Sequence, residues 1–209
     1  MKRNDRLKII KFYEERLRKY GYSHLAMDYG DNRSQSIRFK VLAEAFPIKG
    51  FKILDVGCGI GDFYGYLKEN FGNSFRYTGI DVSAKMIQAA RSRLPTGKFL
   101  LKNFDDPNFQ EKFDLIYVCG TLNLKTSEGL VYITRMIKKI YNLCKIGTAF
   151  NLTSSYTQSI FKNNRTYYAD PGQIFNFCRS LCSCVILRHD YLPNDFTIYM
   201  SKSRMGGRK

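Results

Sequence analysis

Residues 53–63, ILDVGCGIGDF, carry an apolar run through Asp55 into Gly57, Gly59 and Gly61. The stretch FKILDV that opens it reads as a strand without a polar face, the kind buried on both sides of a sheet. Such a strand needs helices packed above and below it, which commits the chain to alternating strands and helices. The three glycines let the backbone turn sharply after the strand and let a ligand touch it, because no Cβ stands in the way.

The alternation is present along the chain. Asn4 is placed to cap a helix reaching about Tyr20, with Leu7, Ile10, Tyr13 and Leu17 at helical spacing and Gly21 as its stop. SQSIRFKVLAEAF forms a second helix that ends before Pro47. After the glycine turn a helix runs to about Phe71 and closes at Gly72, and FRYTGID follows as a strand. Ser83 caps the helix AKMIQAARSRL, and KFLL and FDLIYVCG are two further strands. SEGLVYITRMIKKIYNLC is a long amphipathic helix and GTAFNLTSS a fifth strand. Asp170 and Pro171 start a last helix as N-cap and first-turn proline, and CVILRHDY and FTIYMSK, joined by LPND, form a terminal hairpin. These elements predict an α/β fold: a seven-stranded, mostly parallel sheet with helices on both faces and an antiparallel C-terminal strand. A single domain is expected, with residues 1–46 as a helical cover or lid, 51–202 as the core and 203–209 as a basic tail.

The 209 residues suffice for one hydrophobic core, and 44% apolar with 25% charged residues is ordinary for a globular chain. No apolar run approaches the roughly 18 residues of a membrane span, and the charged N-terminus lacks a secretory leader, so a cytoplasmic location and no membrane partner are expected. Cys178, Cys182 and Cys184 crowd together in CRSLCSC, but without CxxC spacing or a histidine cluster they read as packing, and no metal is expected. The formal charge of +16 attracts polyanions, yet its lysines and arginines are scattered. It argues for solubility and non-specific contacts before any particular function.

In open sheets of this kind ligands bind beyond the carboxyl ends of the strands, where strand order reverses. Asp81 ends the second strand, and a carboxylate there can accept hydrogen bonds from both hydroxyls of a ribose. A dinucleotide site would want a glycine at position 62, where this chain has Asp62. An acid at that point repels a pyrophosphate, so the ligand is expected to carry a ribose and to lack phosphate.

ILDVGCGIGDF, YTGIDVSAKMIQAAR and FDLIYVCGTLNL together resemble the class I S-adenosylmethionine-dependent methyltransferases. The resemblance covers roughly residues 34–202 and implies that S-adenosylmethionine is the cofactor and S-adenosylhomocysteine the product. It further implies that Asp55, Gly57, Cys58, Gly59 and Gly61 hold the methionine end. Asp81 would bind the ribose, with Val82 and Met86 against the adenine. Asn103 stands where the family usually has an acid for the adenine amino group, with the Phe104 amide beside it. Cys119 and Gly120 would pass beside the sulfonium.

Methyl transfer needs a base only when the acceptor must lose a proton. His189 and Tyr191 in RHDYLPNDF are the candidate catalytic groups, and Asp195 and Asn123 candidate substrate contacts on the same edge. Within YSHLAMDYGDNRSQSIRF, which is expected to close over the pocket, Tyr29 and Arg38 are further substrate candidates. The chain shows CGTLN where methyltransferases acting on the exocyclic amines of bases have a proline-proline-aromatic motif. It has no Pro-Cys dipeptide, and it has Cys119 where the ribose methyltransferases have an aspartate. A small-molecule acceptor is therefore expected. An RNA- or ribosome-directed enzyme using the basic surface is one alternative, and a protein that binds the cofactor without catalysis is another.

Overall fold

The seven strands form one sheet in the computed structural model, which describes residues 1–203. In chain order the elements are α1 (Arg3–Tyr20), α2 (Asn32–Ala43), β1 (Lys52–Val56), α3 (Asp62–Phe71), β2 (Arg76–Asp81) and α4 (Ala84–Arg93). There follow β3 (Lys98–Leu101), β4 (Phe113–Val118), α5 (Leu130–Leu143), β5 (Cys144–Thr153), α6 (Pro171–Leu181), β6 (Cys184–Leu192) and β7 (Asp195–Ser201). The strand order is β3-β2-β1-β4-β5-β7-β6. Strands β1 to β5 pair in parallel, while β7 is antiparallel to both β5 and β6. This is the expected architecture, with the chain reversed through the short turn between Leu192 and Asp195. Of the expected basic tail, residues 204–209 lie outside the described residues.

Successive residues of the strands feed opposite faces, as the pleat requires. Ile53, Leu115, Tyr117, Ala149 and Tyr199 pack under Phe39, Leu42, Phe63, Leu67 and Ile87, the face covered by α2, α3 and α4. Leu54, Val56, Ile116, Phe150 and Ile198 pack under Ile133, Ile137, Ile140, Ile174 and Cys178, the face covered by α5 and α6. The helices sit on opposite faces because the chain moves outward from β1 in one direction and from β4 in the other, and both crossovers are right-handed.

Several caps form as the sequence indicates. Ser83 accepts from the Met86 amide and Asp170 from the Gln173 amide. Asn4 does not cap α1, which already begins at Arg3 behind Lys2 with no side-chain cap bond. Asp5 instead turns its carboxylate to Ser127, accepting from its amide at 3.0 Å and its hydroxyl at 2.7 Å. This ties the first turn of α1 to the loop before α5. Helix α5 starts three residues later than its periodicity suggests, because Thr126 accepts from the Gly129 amide and holds 126–129 in a turn.

Gly147 lies where α2's end meets the sheet. A Cβ at that position would stand 2.2 Å from the Phe46 ring and 2.8 Å from the Met200 carbonyl oxygen. Gly147→Ala is expected to lose roughly 1–3 kcal/mol of stability by overpacking. Urea unfolding would show this as a lower midpoint at unchanged slope.

Candidate functional site

Between β1 and β4 the order of strands reverses, and the loops leaving their carboxyl ends separate toward opposite faces. A cavity of about 700 Å³ opens there. Its floor is the glycine loop, the end of β2 and the turn after β4, and its roof comes from α1 and the segment leading into α2.

The glycine loop is shaped by close approach. Gly57, Gly59 and Gly61 all have positive φ, at 76°, 52° and 85°. A Cβ on Gly57 would fall 2.0 Å from Thr121 Oγ1, the hydroxyl that donates to the Val56 carbonyl at 2.8 Å and ties β1's exit to the turn after β4. A Cβ on Gly59 would meet Met27 Sδ at 2.6 Å, because the roof lies directly on the loop. Gly61 does not line the cavity. Its Cα faces Leu94 and Phe99, so the third glycine serves the packing of α3 against its neighbours.

Asp81 organises the opposite wall. Its carboxylate accepts from the Gly59 amide at 3.0 Å and the Ser83 amide at 2.9 Å, which joins the glycine loop to the start of α4. Burial raises its pKa while these amides and that of Val82 oppose the rise. Asp55 is 1% exposed and accepts from the Tyr77 hydroxyl at 2.6 Å. Burial pushes the Asp55 carboxyl up to about 7, partly offset by the Tyr77 bond. Val82, Met86, Asn103 and Phe104 line the cavity beyond Asp81. The Asn103 carbonyl oxygen already accepts from the Asp105 amide at 3.1 Å, which leaves one of its lone pairs free.

The roof and floor meet through polar side chains. Tyr29 Oη and Cys119 Sγ are 3.2 Å apart, and burial lifts the Cys119 thiol to about 12. Arg38 Nε donates to Asp195 Oδ2 at 2.9 Å, and Asn151 Nδ2 donates to both oxygens of the same carboxylate at 2.9 and 3.1 Å. Tyr191 donates to Asp195 as well. Asn151 Oδ1 in turn accepts from the Gly120 amide at 2.8 Å. A continuous chain of bonds thus runs from α2 through the start of β7 and the end of β5 to the turn after β4. Asn123 lines the cavity and accepts from the Thr153 amide at 2.9 Å.

Of the candidates named from the sequence, Asp55, Gly57, Cys58, Gly59, Asp81, Val82, Met86, Asn103, Phe104, Cys119, Gly120, Tyr29, Arg38 and Asn123 all line this one cavity. His189, Tyr191 and Asp195 do not. His189 lies between the rings of Tyr156 and Phe196, 5.7 and 6.1 Å away, while Tyr191 and Asp195 belong to the buried network beneath Arg38. Thr121, Met27 and the 157–168 segment were missed. Met27 stands in the stretch expected to form the lid, whereas the 157–168 segment has no periodic signal.

A family model described as "Methyltransferase domain" matches residues 53–147. The chain is 31% identical over 158 residues to Rv1506c of Mycobacterium tuberculosis, which bears the name of a methyltransferase. That match spans 73% of this chain and 94% of the relative. A trans-aconitate 2-methyltransferase of Paracidovorax citrulli is 39% identical over 72 residues, 34% of this chain and 27% of the relative. Magnesium protoporphyrin IX methyltransferase from Synechocystis PCC 6803, solved with bound S-adenosylhomocysteine, shares the fold at a TM-score of 0.69. The superposition covers 95% of this chain and all of the other, at 14% identity.

The buried pair and the surface pairs should respond differently to truncation. Arg38→Ala leaves the Asp195 carboxylate buried without its cation and is expected to cost about 3–5 kcal/mol. Arg188→Ala, which breaks partly exposed pairs with Asp190 and Glu44, is expected to cost under about 1 kcal/mol. Thermal or urea unfolding of both variants checks the contrast.

Proposed function

The chain belongs to the class I S-adenosylmethionine-dependent methyltransferases, and on that premise we propose that its acceptor is a small organic molecule whose nucleophile is already deprotonated near neutral pH, a carboxylate first of all. The observation that carries this is that no histidine and no unengaged carboxylate stands among the described residues lining the cavity. Neither His24 nor His189 lines it, and each lining carboxylate is engaged. Asp28 pairs with Arg16, Asp62 with Arg93 and Asp105 with Arg135. Asp31 caps α2, Asp55 holds Tyr77, and Asp81 holds two amides. The cavity thiols Cys58 and Cys119 are raised by burial, and so is the Tyr29 hydroxyl. Lys102 and Arg165 supply positive charge along the same walls. The name of the trans-aconitate relative points to a carboxylic acceptor as well.

The site fits the family's cofactor. Gly57 and Gly59, both with positive φ, leave the loop without side chains where a ligand must approach, and Asp81 stands at the end of β2 with one carboxylate oxygen bonded to that loop. Asp81 would accept from the ribose hydroxyls, Val82 and Met86 would flank the adenine, and Asn103 and the Phe104 amide would meet its edge. Asp55 and the Gly57–Gly59 turn would hold the methionine end. When bound, the cofactor supplies an electrophilic sulfonium methyl group that reacts once a nucleophile is held in line with it. The chain's own contribution is therefore alignment and exclusion of water: Tyr29 and Asn123 would position the acceptor, Lys102 and Arg165 would draw an anionic one, and Met27 and α1 close the space above.

Calorimetric titration with S-adenosylmethionine is expected to show micromolar binding, weakened roughly tenfold to a hundredfold in Asp81→Ala through loss of hydrogen bonds to a charged group. Wild-type affinity retained by the variant would overturn the assignment of Asp81. In an acceptor panel, release of S-adenosylhomocysteine is expected with di- and tricarboxylic acids. Turnover confined to amines or phenols would overturn the carboxylate reading.

Asp55 makes the binding depend on pH. Its carboxyl, held up to about 7 by burial, is largely protonated in the free protein below that pH. To face the cofactor's ammonium it would have to be ionised, so binding would release a proton and weaken as pH falls below about 7, then level off above it. Titrations near pH 6 and pH 8, each in two buffers of different ionisation heat, read both the affinity change and the proton released. A flat profile would separate Asp55 from the ammonium.

A further inference from the structure

The segment between β5 and α6 presents an apolar tip beside the mouth of the cavity. Tyr156, Ile160 and Phe161 are 65%, 78% and 68% exposed, the last two within a single 3₁₀ turn, Ser159–Phe161. These side chains are not outward because the loop is slack. Asn163 Oδ1 accepts from the Arg165 amide at 2.9 Å, the Thr166 amide at 3.0 Å and the Thr166 hydroxyl at 3.1 Å. Tyr168 Oη accepts from the Asn163 amide at 2.8 Å, and Ser154 and Thr166 form bridges to Ala169 and Leu124. A well-bonded loop thus holds large apolar groups in water, which soluble chains rarely do without a use for them.

Its surroundings are basic. Residues 154–169 include Lys162 and Arg165 and no acid. The Arg165 carbonyl accepts from the amide of Lys125, and the Arg165 guanidinium lies 5.2 Å from the Phe12 ring centroid on α1. Lys8 and Lys11, on the turn of α1 next to Phe12, are exposed. Phe161 and Arg165 both line the cavity as well, so the apolar tip and the basic rim frame its entrance.

We propose that this face docks on an anionic lipid surface, with Tyr156, Ile160 and Phe161 entering the interface and Lys8, Lys11, Lys125 and Lys162 meeting the headgroups. Charge complementarity selects the occupant: basic residues spread around an apolar tip match a negative bilayer surface. Tyr156, Ile160 and Phe161 all project into solvent, and a fluid interface receives such a tip without a matching shape. Docking of this kind needs no membrane-crossing segment, and no helix among the described residues is long and apolar enough to be one.

The chain contains no tryptophan, so Ile160→Trp installs a single reporter at the tip. The full chain carrying it is mixed with vesicles of phosphatidylcholine alone, or of phosphatidylcholine with phosphatidylglycerol, and its emission and co-sedimentation are followed. The expected result is binding and a blue shift with the anionic vesicles only, both reduced by added salt. Tyr156→Ser in the otherwise native chain is expected to weaken anionic-vesicle binding several-fold, a direct measure of apolar insertion. That residue lies outside the cavity lining, so unchanged affinity for S-adenosylmethionine certifies the fold. No binding to anionic vesicles would overturn the proposal, as would binding without a blue shift or indifferent to Tyr156→Ser. Preference for an RNA oligonucleotide over the vesicles would also overturn it, in favour of a nucleic-acid surface.

Discussion

The reversal of strand order between β1 and β4 is the constraint from which the rest follows. Right-handed crossovers then send α3 to one face and α5 to the other, so the loops leaving two hydrogen-bonded strands must part. The gap would expose strand ends unless something bridged it, and Thr121 does so by donating to the Val56 carbonyl. That bridge occupies the space a side chain at position 57 would need. Gly57 is therefore a glycine for two reasons at once: the positive φ of the turn and the contact with Thr121. The bare loop that a ligand meets is a consequence of how the sheet closes.

Roofing such a gap requires holding a separate segment over it. The apolar contacts of α1 are modest, with no residue of that helix buried, and the firmer attachment is the Arg38–Asp195 pair under α2. A buried ion pair adds little net stability over apolar packing of the same volume, because both charges lose their water. What it supplies here is register. The carboxylate at the start of β7 accepts from Arg38, Asn151 and Tyr191, and Asn151 also takes the Gly120 amide. Displacing the roof would leave Asp195 without its cation and loosen the turn after β4, so roof and floor behave as one unit.

The parts of this arrangement readable from sequence were those governed by local rules. Strands buried on both faces, Ser83 and Asp170 as caps, and the glycine turn each depend on a few neighbouring residues. Asp81 was legible because an acid at the end of the second strand is placed by topology alone. Asp195 was recognised as belonging to the ligand edge, but its partner Arg38 lies 157 residues away in sequence, so nothing local distinguished a buried anchor from a substrate contact. The same holds for His189, whose position on the hairpin suggested chemistry although its ring packs beside Tyr156 and Phe196. Gly61 followed the motif but serves packing. The 157–168 segment was invisible because its shape comes from Asn163 bonding, which has no periodicity.

Net charge illustrates the same limit from the other side. A formal +16 attracts polyanions to the surface, yet the side chains lining the cavity include six aspartates against Arg38, Lys102 and Arg165. The interior is acid-rich where the exterior is basic. Desolvation makes the difference matter: an aspartate such as Asp55, removed from water, is costly to ionise without a cation and so favours a ligand that brings one. Exposed lysines remain hydrated and act at a distance, weakened by salt. The interior charges therefore choose the ligand of the cavity, while the exterior charges choose only the surface that the molecule approaches.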